Sequence, residues 1–255
     1  MVEKPARDYQ SEIDVAVERL AAGHLAREFP DHAIAGEEAA SDRVGRPGGG
    51  RFIIDPIDGT TNFIWGIPHF AVIIALVEGE EMVADVVHDP MLDETFAAES
   101  GRDATLNGSP LRIDAARDMV NAVFGAGLPV PGQVSSVPVE DYHRALRRLI
   151  DNAAGVRRLG SAALSIAWVA AGRLDGFFED RLSLHDYGAS ALVLHKAGGI
   201  ATDFAGRPLL DPPSGGPVDG PVAVLVARPG LHGWLLQGFA PRQAVHSPSG
   251  SSAVT

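Results

Sequence analysis

Cysteine is absent from the chain. That excludes a thiolate nucleophile, a disulfide framework and a cysteine-ligated metal, and it fits a reducing cytoplasm, where the protein is expected to reside. A long hydrophobic run is missing as well. The most apolar stretch, Phe70-Ala71-Val72-Ile73-Ile74-Ala75-Leu76-Val77, falls far short of the roughly 20 residues that cross a bilayer, so it reads as a buried strand and no membrane association is expected. Met1-Val2-Glu3-Lys4 lacks the basic-then-apolar start of a secretory signal. Positive charge is scarce: 21 Lys and Arg against 33 Asp and Glu give a formal charge of −12. An acidic chain without a basic stripe is a poor candidate for general nucleic-acid binding. Arg144, Arg147, Arg148, Arg157 and Arg158 are the one basic cluster and read as a solvated helix face and its exit. No Gly-x-Ser-x-Gly elbow occurs, which leaves a serine hydrolase unsupported. Gly125-Ala126-Gly127 lacks the third glycine of a dinucleotide fingerprint.

The 255 residues, 45 % of them apolar, suffice for one large domain or two closely packed lobes. Ile13, Val17, Leu20, Ala21, His24, Leu25 and Phe29 follow the spacing of an amphipathic helix from Ser11 to Phe29, and Pro30 ends it. Short strands are expected at His32–Ala35 and Arg51–Ile54. Strands at Phe70–Glu78, Met82–His88 and Glu94–Ala98, with turn signals at Gly79-Glu80 and Asn107-Gly108, complete a helix followed by an antiparallel meander. From Met119 onward, strands alternate with helices, which indicates an α/β layered half. In this second half Ser161 is placed to cap a helix that ends at Gly172. Trp65 and Trp168 occupy apolar positions and are expected in the core. One domain over residues 1–240 is expected, its lobes meeting near residue 118. The Ser-, Pro- and Gly-rich stretch 241–255 is expected to be disordered.

Chemistry concentrates at Asp55-Pro56-Ile57-Asp58-Gly59-Thr60-Thr61. The proline and glycine argue for a tight turn leaving a strand, able to aim both carboxylates and the Ile57 carbonyl at one point. A hard cation such as magnesium wants such oxygen ligands. Gly59-Thr60-Thr61 would then open a short helix and offer backbone N–H groups to phosphate. Metal ligands running into an anion cradle suit hydrolysis of a phosphate ester. An isolated Asp-Pro-x-Asp-Gly is ordinary turn vocabulary. The longer string through Asn62-Phe63 is not, since each specified position matches by chance roughly one time in twenty. The Arg46-Pro47-Gly48-Gly49-Gly50 stretch reads as a mobile loop near the site rather than a second cradle.

That string resembles the signature of the inositol monophosphatase family, and other landmarks follow in order over about residues 4 to 240. Gly36-Glu37-Glu38 resembles the family's Gly-Glu-Glu segment, and Gly160-Ser161-Ala162 its substrate-facing turn. The resemblance implies a mixed α/β (α+β) layered αβαβα sandwich, usually a homodimer, inhibited by lithium. It implies that Glu37, Asp55 and the Ile57 carbonyl hold one Mg2+, and that Asp55, Asp58 and Asp186 hold another. Glu37 and Thr60 would position the attacking water, with Asp14 orienting Thr60. The amides of Gly59 and Thr60 would take the phosphate. Gly160, Ser161, Ala162, Glu179 and Asp186 would face the substrate, and Lys4 matches a basic residue near the outer metal region. The implied reaction is hydrolysis of a small phosphate monoester, inositol monophosphate first. Fructose 1,6-bisphosphate, histidinol phosphate and phosphoadenosine nucleotides are the substrates of related enzymes. A non-catalytic sugar-phosphate-binding or interaction protein is the reading from another class. Three departures bear on substrate rather than reaction. His185-Asp186-Tyr187 stands where the family has Trp-Asp, with His185 read as a packing replacement, and Ser183-Leu184 and the Gly127–Pro138 loop differ from the family pattern.

Overall fold

The computed structural model describes residues 2–4, 8–10, 12–114, 117–210 and 220–240, with side chains from residue 12 onward. The segment 241–255 and the Lys4 side chain lie outside the described residues. A hairpin of β1 (Val2–Lys4) and β2 (Asp8–Gln10) precedes helix α1 (Glu12–Glu28). Strands β3 (Ala33–Gly36), β4 (Arg51–Asp58), β5 (Ala71–Glu78), β6 (Glu81–Asp89), β7 (Glu94–Glu99), β8 (Thr105–Leu106) and β9 (Ser109–Pro110) form a seven-stranded sheet in chain order, with the short helix α2 (Thr60–Ile64) after β4. The first pair, β3 and β4, is parallel; the other neighbours are antiparallel. An antiparallel meander therefore describes only the strands from β4 onward. The β3–β4 link passes through the Gly48–Gly50 loop, which frees β3 to run alongside β4 in the same direction.

The second sheet takes β10 (Val123–Ala126), β11 (Gly155–Arg157), β12 (Gly176–Leu182), β13 (Ile200–Thr202) and β14 (Val222–Ala227) in the order β11-β10-β12-β14-β13. Parallel pairs join β10 to β11 and β12, as helical crossovers require. Met119–Asn121, expected to open β10, is a 3-10 turn instead. The helices are α3 (Val139–Asn152), α4 (Ala162–Ala170), α5 (Leu184–Lys196) and α6 (Pro229–Leu236).

Burial sorts the helices into layers. In α4, Ala-Ala-Leu-Ser-Ile-Ala-Trp-Val-Ala is buried nearly all round, as a helix covered on both sides must be. It joins α5 in one core with Ile53, Ile73 and Phe96 of the first sheet and Phe177, Val224 and Val226 of the second. The outer helices need only one apolar stripe. On α3, Tyr142, Ala145 and Leu149 pack with Phe178, Leu225 and α6. On α1, Ala22 and Leu25 pack on Ile34, Phe52 and Ile54. The stack reads α1, sheet, α4 and α5, sheet, α3 and α6: an αβαβα sandwich. Trp168 packs against the central core, but Trp65 is 58 % exposed. It caps the end of the one-turn helix α2, too short to fold its ring inward.

Candidate active site

Strand β4 is buried along almost its whole length because helices cover both faces. Residues three apart on a regular strand point to opposite faces. Here the pairing with β5 runs Asp55↔Ile73 and then Asp58↔Ala71, so one extra residue is inserted. That bulge carries both carboxylates to the same side. Pro56 sits inside it, where no ladder N–H is needed. The strand thus continues through Asp58 rather than turning at Asp55. Gly59 follows at φ 97, with Gly160 O and His69 O each 3.2 Å from where a Cβ would stand. Only glycine fits that backbone and that clearance.

The third carboxylate comes from Asp186 in the first turn of α5, where its Oδ2 accepts from the Ser183 N–H at 2.6 Å. Ligand oxygens of Asp55, Asp58 and Asp186 lie within 4.8 Å of one another. They share a cleft of about 200 Å³ with Glu37, Ile57, Gly59, Thr60, Gly160, Ala162 and Glu179. Asp14 is buried behind this wall and accepts a hydrogen bond from Thr60 Oγ1 at 3.2 Å, while Ile57 O lies 3.0 Å from the same hydroxyl. Ser161 stands beneath the cleft rather than on it: its hydroxyl donates to Asp58 and caps α4 through Leu164 N. The Ala163 amide donates to Asp58 as well, at 2.8 Å.

Electrostatics mark the cluster. Burial, then the neighbouring charges of Glu37, Asp58 and Asp186, holds the Asp55 carboxyl well above the usual range. Burial and the Asp186 charge push Asp58 up to about 8, against the hydrogen bonds from Ser161 and Ala163. Asp55 Oδ2 is buried without a hydrogen-bond partner among the described residues. Converging carboxylates, an orphaned carboxylate oxygen and raised pKa values fit a hard divalent cation, whose charge would relieve all three at once.

Several contributors carried no motif in the sequence. Glu18, buried on α1 one turn after Asp14, accepts from the amides of Glu38 and Ala40 at 2.8 and 2.7 Å and shapes the Glu37 loop. A Cβ at Gly36 would fall 2.1 Å from its carboxyl carbon, so any other residue there would push the Glu18 carboxylate off these amides. Asn62 Nδ2 ties the motif to its neighbours, donating to His69 O and Leu159 O at 2.7 Å. Arg158 lines the cleft with Gln133 and Leu182; it is a cleft residue, not merely the exit of a solvated helix. The strand β11 turns it back over Gly160. Glu179 is pushed up to about 7 by burial, with Arg158 pulling it down and Asp186 raising it. The Gly48–Gly50 loop feeds the opposite end of β4, and none of its residues lines the cleft. His185 is half-buried and bonded to the Ala35 backbone, and burial lowers its pKa; it too lies off the cleft wall. Among the described residues, no carboxylate cluster borders the larger apolar groove of about 910 Å³ between Phe204, Pro208, Leu236 and Phe239.

The profile of the inositol monophosphatase family matches residues 2–241. The chain belongs to that family. The Nus factor SuhB of Pseudomonas aeruginosa is 42% identical over 206 residues, covering 80% of this chain and 75% of that protein. The inositol-1-monophosphatase of Rhizobium meliloti is 42% identical over 208 residues, covering 81% and 77%. Among solved structures, the extragenic suppressor protein suhB from Bartonella henselae superposes with a TM-score of 0.83 at 34% identity, over 95% of this chain and 90% of that one. The sandwich and the cleft thus sit in a family of phosphatases. Among the described residues, no helix is long and apolar enough to cross a membrane.

Proposed function

We propose that this protein hydrolyses small phosphate monoesters with magnesium, inositol monophosphate being the first substrate to try. The convergence of Asp55, Asp58 and Asp186 within 4.8 Å, in one cleft with Glu37 and Thr60, carries the reading. Asp55, Asp58 and Asp186 would hold one magnesium ion, and Glu37 with Asp55 and the Ile57 carbonyl a second. When bound, the ions supply positive charge for the phosphoryl oxygens and acidify water.

The chain's own groups do the rest. The Thr60 hydroxyl has one proton, directed to Asp14 or Ile57 O. Its lone pairs therefore remain to accept a hydrogen bond from the attacking water. Glu37, on the same wall, receives the proton that this water loses. The amides of Gly59 and Thr60 would take the phosphate, with no side chain at Gly59 to intervene. Water attacks phosphorus opposite the ester oxygen, the P–O bond to the alcohol breaks, and the alcohol leaves with a proton from solvent. Glu179 waits across the cleft as an acceptor for hydroxyls of the leaving group.

The test is phosphate release at saturating magnesium from inositol 1-phosphate, fructose 1,6-bisphosphate, histidinol phosphate and a phosphoadenosine nucleotide. Release from at least one is expected, fastest from the inositol ester. A second reading has one observation behind it: relatives of equal similarity are named Nus factor SuhB and inositol-1-monophosphatase. No release from any ester would move the assignment to a binding role.

A further inference from the structure

The loop at residues 127–138, between β10 and α3, is fastened along its length to the strand that carries Glu179. At its start the Gly127 amide donates to Phe178 O at 2.8 Å, and Tyr142 Oη donates to Gly127 O at 3.0 Å. Midway, Arg181 Nη1 donates to Gly132 O at 3.0 Å. Toward its end Asp180 accepts from Ser135 N at 2.7 Å, Ser136 N at 2.8 Å and Ser136 Oγ at 2.6 Å. Asp180 is 4% exposed, and apart from the Arg181 amide at 2.8 Å its hydrogen bonds go to the loop. Such charge-assisted bonds are the stronger kind. They offset the entropy of ordering a segment rich in glycine, proline and serine that has no ladder of its own.

The loop residue that this anchoring delivers to the cleft is Gln133. It lines the same cleft as Glu179 and Arg158. Gly127 lets Glu179 lie there, because a Cβ would stand 2.5 Å from Glu179 Cγ. The chemistry of this wall is mixed. An amide gives and accepts hydrogen bonds, a carboxylate accepts, and a guanidinium donates. The charges of Arg158 and Glu179 offset each other. Such a wall suits an uncharged alcohol carrying several hydroxyls.

We propose that Gln133 is a specificity-determining residue that reads leaving-group hydroxyls, and that Asp180 is its positioning residue, acting through the loop alone. The proposal rests on the phosphatase reading above. Its test compares two esters at saturating magnesium: inositol 1-phosphate, and p-nitrophenyl phosphate, whose leaving group offers no aliphatic hydroxyl. Gln133→Ala should raise KM for the inositol ester about tenfold, the worth of a lost substrate hydrogen bond. Its kcat should hold within about twofold, and the aryl ester should be unaffected. Asp180→Asn should produce the same selective rise, and Ser136→Ala a smaller one that covers any failure of the buried variant to fold. In the Gln133→Ala background, Asp180→Asn should add nothing further. Equal losses on both esters, or a full additive loss in the double variant, would overturn the proposal and leave the phosphatase reading standing. A wild-type chain inactive on both esters and on the wider panel would sink both.

Discussion

In β4 the pairing with β5 slips between Asp55 and Asp58; in β12 the pairing with β14 slips between Glu179 and Leu182. Each slip adds one residue to its strand at the rim of the same cleft. The contents differ. The β4 bulge holds Pro56, leads into Gly59, and gathers carboxylates that repel one another. In the β12 bulge the carboxylates part company: Glu179 lines the cleft, Asp180 binds loop amides, and Arg181 takes the left-handed conformation at φ 62 without being glycine. One backbone device thus serves two ends. Crowded charge in β4 suits a cation, as proposed above, and divided charge in β12 fastens a distant loop beside the cleft.

The comparison breaks most sharply at Asp58. If Asp58 is the metal ligand proposed above, Asp58→Asn removes its charge, and loss of several kcal/mol of charge stabilisation amounts to about a thousandfold in kcat. Asp58 is buried and bonded to Ser161 and Ala163, so folding survives only because an asparagine oxygen can still accept. Magnesium-free Asp58→Asn should melt no lower than wild type, since like-charge repulsion has been relieved. Turnover within tenfold of wild type would end the division of labour between the bulges.

The next effect is in stability against pH. Asp58 is raised from 3.8 to about 8 in the fold, so between those values the folded chain binds more protons than the unfolded one. Stability of the magnesium-free protein should then fall as pH rises from about 4 to 8. Magnesium needs the ionised carboxylates and should reverse the slope. At a hundredfold excess over Kd it adds about 2.7 kcal/mol, or roughly 5–10 °C in Tm. Thermal melts across pH with and without magnesium measure both; a flat metal-free profile would mean that the carboxylates do not confront one another.

The bulges also differ in how far the sequence disclosed them. In β4, proline, glycine and paired aspartates within one short string are local signals, and the string is improbable by chance. Asp186 and Glu37 were legible only by resemblance, because nothing near them in sequence says that they meet Asp55. The β12 bulge has neither proline nor glycine at the slip, and its partners, Ser135 and Ser136, lie 45 and 44 residues away. Gln133 was therefore invisible. Helix α1 was clear from its spacing, yet Glu18 was not, since a helical glutamate normally faces water. Trp65 misled for the converse reason: an aromatic side chain carries no local mark of exposure.

The smallest expected effect separates backbone from side chain in β12. Arg181→Gly relieves a left-handed conformation worth about 1–2 kcal/mol and gives up the bond to Gly132 O, worth about 1 kcal/mol. Tm should stay within a few degrees, while KM for a polyol phosphate should rise a few-fold. A large fall in kcat would place this bulge in the chemical step and erase the contrast with β4.

A magnesium titration of phosphate release from inositol 1-phosphate by the wild-type chain, starting from chelated protein, tests the metal-cluster reading most directly. Release should be absent in chelator, rise with magnesium and saturate. Release that ignores magnesium, or never begins at any concentration, would contradict the assignment of Asp55, Asp58 and Asp186 to a catalytic cation site.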